Sequence, residues 1–170
     1  MIAVFSRGAC VAFALVLCLV SCASHALAAS SLRGRVTHIY DGDTIRVAGI
    51  GKVRLLGIDV PEKEASYRDR YLRQRGIAPD RLRRIHHRAH AYVRAKSLGR
   101  IVVLRTEPPT RDTYGRLLAY VTLPGGHMLN RLLLQQGLAA VYRRFDFSLK
   151  RDFIETEEDA RLAKRGMWQQ

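Results

Sequence analysis

Between Val36 and Leu56 the chain carries three short runs of alternating side chains, each closed by turn-forming residues. Val36–Tyr40 runs into Asp41-Gly42-Asp43, a cluster of turn formers. Thr44–Val47 alternates polar and apolar, with Ile45 and Val47 on one face. Gly49-Ile50-Gly51 is a short hairpin connection, after which Lys52–Leu56 carries Val53 and Leu55 on one face. Runs this short cannot be helices of useful length. The pattern predicts a meander of three short strands that needs further strands or helices to cover its apolar face.

Those elements can be read downstream. Glu62–Pro79 is polar and Arg-rich and reads as a long surface loop, a kind of segment that is usually functional or mobile. Asp80 is placed to cap a helix running to about Leu98, with Gly99 as its stop. Leu82, Ile85, Ala89 and Val93 give that helix an apolar stripe. Ile101–Arg105 and Leu117–Leu123 read as two more strands, Met128–Gln136 as a short helix ended by Gly137, and Leu149–Lys164 as a last helix. No repeat or low-complexity segment interrupts the series, and 170 residues suit one domain. Five strands with helices are compatible with a small closed barrel, although periodicity alone does not prove one.

The first 28 residues read as an address label rather than as part of this domain. Arg7 is the only charged side chain before Arg33, and the thirteen residues from Ala9 to Ser21 are almost all apolar. That is the charged-then-apolar order of an export signal. Ala26-Leu27-Ala28 is a small-x-small cleavage pattern that would release a soluble chain near Ala29. Leu19-Val20-Ser21-Cys22 resembles a bacterial lipobox, which would remove residues 1–21 and leave a lipidated Cys22 at the membrane. An uncleaved anchor is the third possibility. The expectation is an exported protein, secreted, periplasmic or lipid-anchored, with its folded domain over residues 31–170. All three cysteines, Cys10, Cys18 and Cys22, lie in this leader, so a disulfide framework or a cysteine-ligated zinc site in the body is excluded.

Charge narrows the partner. Twenty-nine Lys and Arg stand against fifteen Asp and Glu, a net charge of +14. This favours nucleic acid, an anionic membrane or another polyanion over a neutral partner. The stretch Arg68–Arg105 holds twelve of the basic residues against Asp69 and Asp80. It reads either as a solvated face or as a phosphate-steering surface. His86, His87 and His90 fall on the same basic helix without a helical carboxylate and read as a solvated face rather than a metal set.

Three clusters offer chemistry. Asp41-Gly42-Asp43-Thr44 gathers two carboxylates at a strand boundary, either as ligands for a hard cation or as a plain Asx turn. Arg54 lies in an otherwise apolar strand, where a charge needs a partner or a task. Asp59 and Glu62 follow with Pro61 between them, and the two clusters together offer four carboxylates from neighbouring strands, giving either a cation site with one carboxylate left as general base or a surface salt bridge between Arg54 and one carboxylate. Asp112-Thr113-Tyr114-Gly115-Arg116 opens a strand with a second guanidinium. Two arginine forks suit a phosphate, although a hairpin turn with a surface arginine has the same letters.

In this order the three clusters resemble the staphylococcal (thermonuclease-type) nuclease family. So do Gln136-Gly137-Leu138-Ala139 and the ending Ala160–Trp168, and the likeness covers roughly residues 33 to 168. The resemblance implies an α+β fold, a five-stranded OB-fold barrel with about three packed helices, and Ca2+-dependent hydrolysis of DNA and RNA leaving 3′-phosphate ends. By motif, Asp43 and Asp59 would ligate Ca2+ through carboxylates and Val60, where the family usually has threonine, through its backbone carbonyl. Arg54 and Arg116 match the phosphate-binding arginines, and Glu62 matches the general base. Tyr114 matches the tyrosine of the nucleotide pocket, and Thr113 stands where a phosphate-contacting lysine is common. A monomer is expected. Two other classes fit the charge: a non-catalytic nucleic-acid-binding OB module of the cell envelope, and a cationic envelope protein that binds lipid or glycan.

Overall fold

The computed structural model describes residues 31–169. The expected leader, with its cleavage sites near Ala28 and Cys22, lies outside the described residues.

The predicted meander is present as β1 (Ser31–Asp41), β2 (Thr44–Val47) and β3 (Gly51–Leu55). The first strand is longer than its alternation suggests, and its length is what closes the barrel. Its first half, Ser31–Arg35, pairs antiparallel with β5 (Ile101–Arg105), while its second half pairs with β2. The chain bends from one neighbour to the other beside Gly34. A Cβ there would lie 2.5 Å from Val47 Cγ1 and 2.9 Å from the Ala48 carbonyl, so the crossing needs a bare backbone. β6 (Leu117–Thr122) runs parallel to β3 and antiparallel to β5, completing the closed order β1-β2-β3-β6-β5. This is a five-stranded, OB-like α+β barrel.

Two further strands escape the periodicity because each is only two residues long. β4 (Ile58–Asp59) pairs with β7 (Ala140–Val141) outside the barrel. The segment read as a loop from Glu62 to Pro79 is partly ordered. A 3-10 turn over Tyr67–Asp69 leads into the one-turn helix α1 (Arg70–Arg73), and Leu72 and Ile77 are buried. Ser66-Tyr67-Arg68-Asp69 has the Ser-x-x-acidic spacing of a helix start, and Ser66 Oγ accepts from the Arg68 amide. The long basic helix α2 (Pro79–Ser97) begins one residue earlier than expected. Pro79 occupies its first turn and Ala78 is the cap, so Asp80 is a first-turn acid paired with Arg84 rather than the capping residue. α3 (Leu129–Gln135) and α4 (Lys150–Leu162) follow as predicted, giving three packed helices and the additional short α1. No helix among the described residues is long and apolar enough to cross a membrane.

The core fills the barrel and extends beneath α3 and α4, where Phe153 meets Tyr120 and Phe147 at 6.0 and 5.6 Å between ring centres. One buried polar side chain ties α3 to the barrel. Asn130 donates to the Leu56 and Ala119 carbonyls at 2.9 and 3.3 Å and accepts from the Val121 amide at 2.9 Å. Asn130→Ala takes this partner from the Val121 amide and the Leu56 carbonyl in a buried site, while the Ala119 carbonyl keeps the Leu56 amide at 2.9 Å. We expect it to lower the unfolding free energy by about 1–3 kcal/mol in urea titrations. A change well below about 0.5 kcal/mol would mean that the bonds are replaced by water.

Candidate active site

The barrel register brings the clusters together. Thr44 on β2 faces Arg54 on β3, and Arg54 faces Leu118 on β6, so the Asp43 turn, the Arg54 strand and the Arg116 approach meet at one end. The Leu55 amide donates to the Asp43 carbonyl at 2.8 Å and fixes the turn against the strand. Gly42 is required there for space. A Cβ would stand 2.8 Å from Ala89 Cβ on α2 and 2.9 Å from Val60 Cγ1.

Arg54 is the centre of the arrangement. Its side chain is 11% exposed, and its fork spans two aspartates: Nη1 to Asp43 at 2.7 Å and Nη2 to Asp59 at 2.6 Å. Burial works against this charge, but the attraction of Asp43 and Asp59 outweighs it and holds the arginine above its ordinary pKa. Thr44 Oγ1 donates to the other oxygen of Asp43 at 2.8 Å. Burial and the Asp43 carboxylate beside it raise the pKa of Asp41. The expectation that an arginine inside this strand must be partnered is met by two carboxylates rather than by one surface bridge.

Glu62 lies at the mouth of the same site, where Arg68 Nη1 donates to it at 2.6 Å, and Arg68 Nη2 reaches Asp59 at 3.2 Å. Arg116 donates through Nε to Asp112 at 2.7 Å and approaches Thr44 Oγ1 at 3.4 Å through Nη1. Burial pushes the Asp112 carboxyl up, but hydrogen bonds from Arg116 prevail and hold it below the usual carboxylate range. The ion pair is therefore intact at neutral pH. Arg54, Asp59, Val60, Glu62, Thr113, Tyr114 and Arg116 all border one cavity of about 360 Å3. Tyr114 is 84% exposed and stands on its rim, 5.4 Å from the Arg116 guanidinium. The Val60 side chain is buried.

Four residues shape this site without a sequence signal that assigns them to it: Arg68, Asp69, Arg83 and His86. Arg68 and Asp69 sit in the segment read as loop, and Asp69 is buried, accepting from Arg83 of α2 and from the Glu62 amide. His86 is not on a solvated face. Its Nδ1 lies 3.0 Å from the Pro61 carbonyl and 3.5 Å from Asp41, because that side of α2 packs on the Asp41–Asp43 turn. His87 does remain exposed.

Residues 52–170 match the profile of the family described as staphylococcal nuclease homologue. The chain belongs to the staphylococcal nuclease family. An uncharacterized endonuclease of Escherichia coli O157:H7 is 31% identical over 142 residues, covering 82% of this chain and 78% of that protein. The micrococcal nuclease of Shigella flexneri is 30% identical over 150 residues, covering 82% of this chain and 75% of its own. An uncharacterized protein of Methanocaldococcus jannaschii is 32% identical over 155 residues, covering 79% and 70%. The family match begins at Lys52, after Asp43. In this staphylococcal nuclease homologue, Asp43 is linked to the matched region through its bond to Arg54.

Proposed function

We propose that the chain is an exported, Ca2+-dependent phosphodiesterase that cleaves DNA and RNA with little sequence preference and leaves 3′-phosphate ends. The observation that carries this reading is the Arg54 fork across Asp43 and Asp59, with Glu62 and Arg116 bordering the same cavity, in a chain of the staphylococcal nuclease family. The charged-then-apolar order of residues 1–28 supports export.

The donors suit a hard cation. Asp43, Asp59 and the Val60 carbonyl are all oxygen ligands, with no sulfur or imidazole among them. Among the described residues no three or more His, Cys, Asp or Glu side chains are grouped to hold a metal ion by themselves. Two carboxylates and a carbonyl are therefore a partial set, and the remaining positions of a six- to eight-coordinate ion would fall to water and phosphate oxygens. A bound Ca2+ would supply Lewis-acid neutralisation of a phosphoryl oxygen and hold the attacking water.

The chain's own groups carry the rest. Glu62 takes the proton from the water as its oxygen adds to phosphorus. The bond to the 5′ oxygen breaks, that oxygen takes a proton from solvent and leaves as the 5′ hydroxyl, and the phosphate stays on the 3′ side. Arg54 and Arg116 donate to the non-bridging oxygens, on which negative charge grows in the transition state. Both are held by carboxylates before substrate arrives, so little reorganisation is needed. Tyr114 on the rim offers a ring face and a hydroxyl to the nucleotide, and Thr113 offers a hydroxyl. The arginines and hydroxyls address phosphate and sugar, which carry no base information, and stacking on an aromatic face accepts any base. The exposed Arg84, Arg88 and Arg94 of α2 add attraction for any polyanion.

The test is cleavage of plasmid DNA by the purified protein. Activity is expected with Ca2+, without added zinc, and is expected to vanish in excess chelator. Undiminished cleavage in chelator would overturn the metal-assisted reading.

A further inference from the structure

We propose that Arg68 is a positioning residue of this site, which acts by holding the Glu62 carboxylate in place; the proposal rests on the reading of Glu62 as general base. The local sequence delivers Arg68 there. Ser66 starts a 3-10 turn by accepting from the Arg68 amide at 3.2 Å, and the turn sends two consecutive side chains back onto one residue. Arg68 Nη1 binds the Glu62 carboxylate at 2.6 Å. Asp69 accepts from the Glu62 amide at 3.4 Å and is itself anchored by Arg83 of α2. Side chain and main chain of Glu62 are thus tied to the same turn.

The geometry separates this pairing from an ordinary surface ion pair, which contributes little because both partners move. The Arg68 fork also reaches Asp59 through Nη2 at 3.2 Å, so one planar group fixes the relation between two carboxylates. The same Asp59 oxygen also accepts from Arg54 at 2.6 Å. The result is a chain Asp43–Arg54–Asp59–Arg68–Glu62, in which each guanidinium bridges two carboxylates. A general base must lie within hydrogen-bond reach of its proton, and a loose carboxylate at the mouth of an open cavity spends little time there.

The test is a double-mutant cycle of Arg68→Met and Glu62→Gln, with Arg68→Lys as the charge-retaining variant. Arg68 is 39% exposed at the surface turn, so its replacement leaves the core intact. Arg68→Met is expected to lower kcat about ten- to a hundredfold, the usual effect of removing a partner that orients an active-site group. KM is expected to stay within about twofold, because Arg68 binds Glu62 and Asp59 rather than substrate. Arg68→Lys is expected to fall between Arg68→Met and wild type, since an ammonium cannot bridge both carboxylates. In the Glu62→Gln background the Arg68→Met change is expected to add less than about twofold, since its route to the chemistry is already gone.

Calorimetric titration with Ca2+ in the absence of nucleic acid gives a readout independent of turnover. Arg68→Met is expected to bind the ion about two- to fivefold tighter, as a repelling charge beside Asp59 is removed. A kcat unchanged by Arg68→Met, a full additive loss in the Glu62→Gln background, or weaker Ca2+ binding would each overturn the proposal. The last would mark Arg68 as a prop for the loop. If Glu62→Gln alone cleaves at the wild-type rate, the base assignment itself falls and this proposal falls with it.

Discussion

Arg54→Lys is expected to slow cleavage roughly a hundred- to a thousand-fold, the effect of removing one preorganised donor to a developing oxyanion. Charge is conserved in this variant, so the deficit isolates geometry. The guanidinium serves Asp43 and Asp59 through separate nitrogens at 2.7 and 2.6 Å, and a single ammonium cannot span them and still face a phosphate. Arg54→Met removes the charge as well. The Asp43 side chain is only 5% exposed, and without its partner it becomes an uncompensated buried carboxylate. Breaking such a pair from one side costs about 3–5 kcal/mol, so the metal-free variant is expected to melt far below the wild type. Added Ca2+ is expected to restore part of that stability, because a ligand bound only by the folded state stabilises it and here also replaces the missing positive charge. Thermal melts of Arg54→Met with and without Ca2+, beside the turnover of Arg54→Lys, test both halves. An Arg54→Lys enzyme within about threefold of wild type, well under 1 kcal/mol in barrier, would remove Arg54 from the transition state.

The meander is legible in the sequence because Ile45, Val47, Val53 and Leu55 alternate, and all four are buried. The partnered Arg54 is legible because a charge in an apolar strand must be satisfied. The meeting of Asp43 with Arg54 follows from the same hairpin, but the arrival of Arg116 is not legible in the pattern, because it depends on the parallel pairing of β3 with β6, whose residues lie far apart along the chain. Ala140–Val141 pairs with Ile58–Asp59 in strands too short to show a period. Arg68 and Asp69 are hidden by composition. A polar, Arg-rich segment reads as solvated, and its order comes from the Ser66 start and from Leu72 and Ile77 packing inward. His86 misleads for a related reason. Its neighbours on α2 are basic, but its own side of the helix is defined by the turn against which it packs.

Glu62→Gln is expected to have the second large effect, and its physical signature differs from that of Arg54. Glutamine keeps the shape and an acceptor oxygen, but it cannot take a proton at neutral pH. Removing a general base typically costs about a hundred- to ten-thousand-fold in rate. Stability should barely change. Glu62 is partly exposed, the glutamine oxygen can still accept from Arg68, and Arg68 keeps its bond to Asp59, so the cost is expected to stay within about 1 kcal/mol. Nucleic-acid binding should persist, slightly strengthened by the removal of one negative charge, because Arg54 and Arg116 remain in place. A non-catalytic binding module would show the same binding and no cleavage at all in the wild type. The most direct test of the proposed hydrolytic site is therefore the cleavage rate of Glu62→Gln in Ca2+, measured beside its thermal midpoint and its affinity for DNA. The expected result is a wild-type-like midpoint, undiminished affinity and a rate at least about a hundredfold lower. A variant that melts like the wild type, binds like it and cleaves within about threefold of it would remove Glu62 from the chemistry and with it the proposed hydrolytic site.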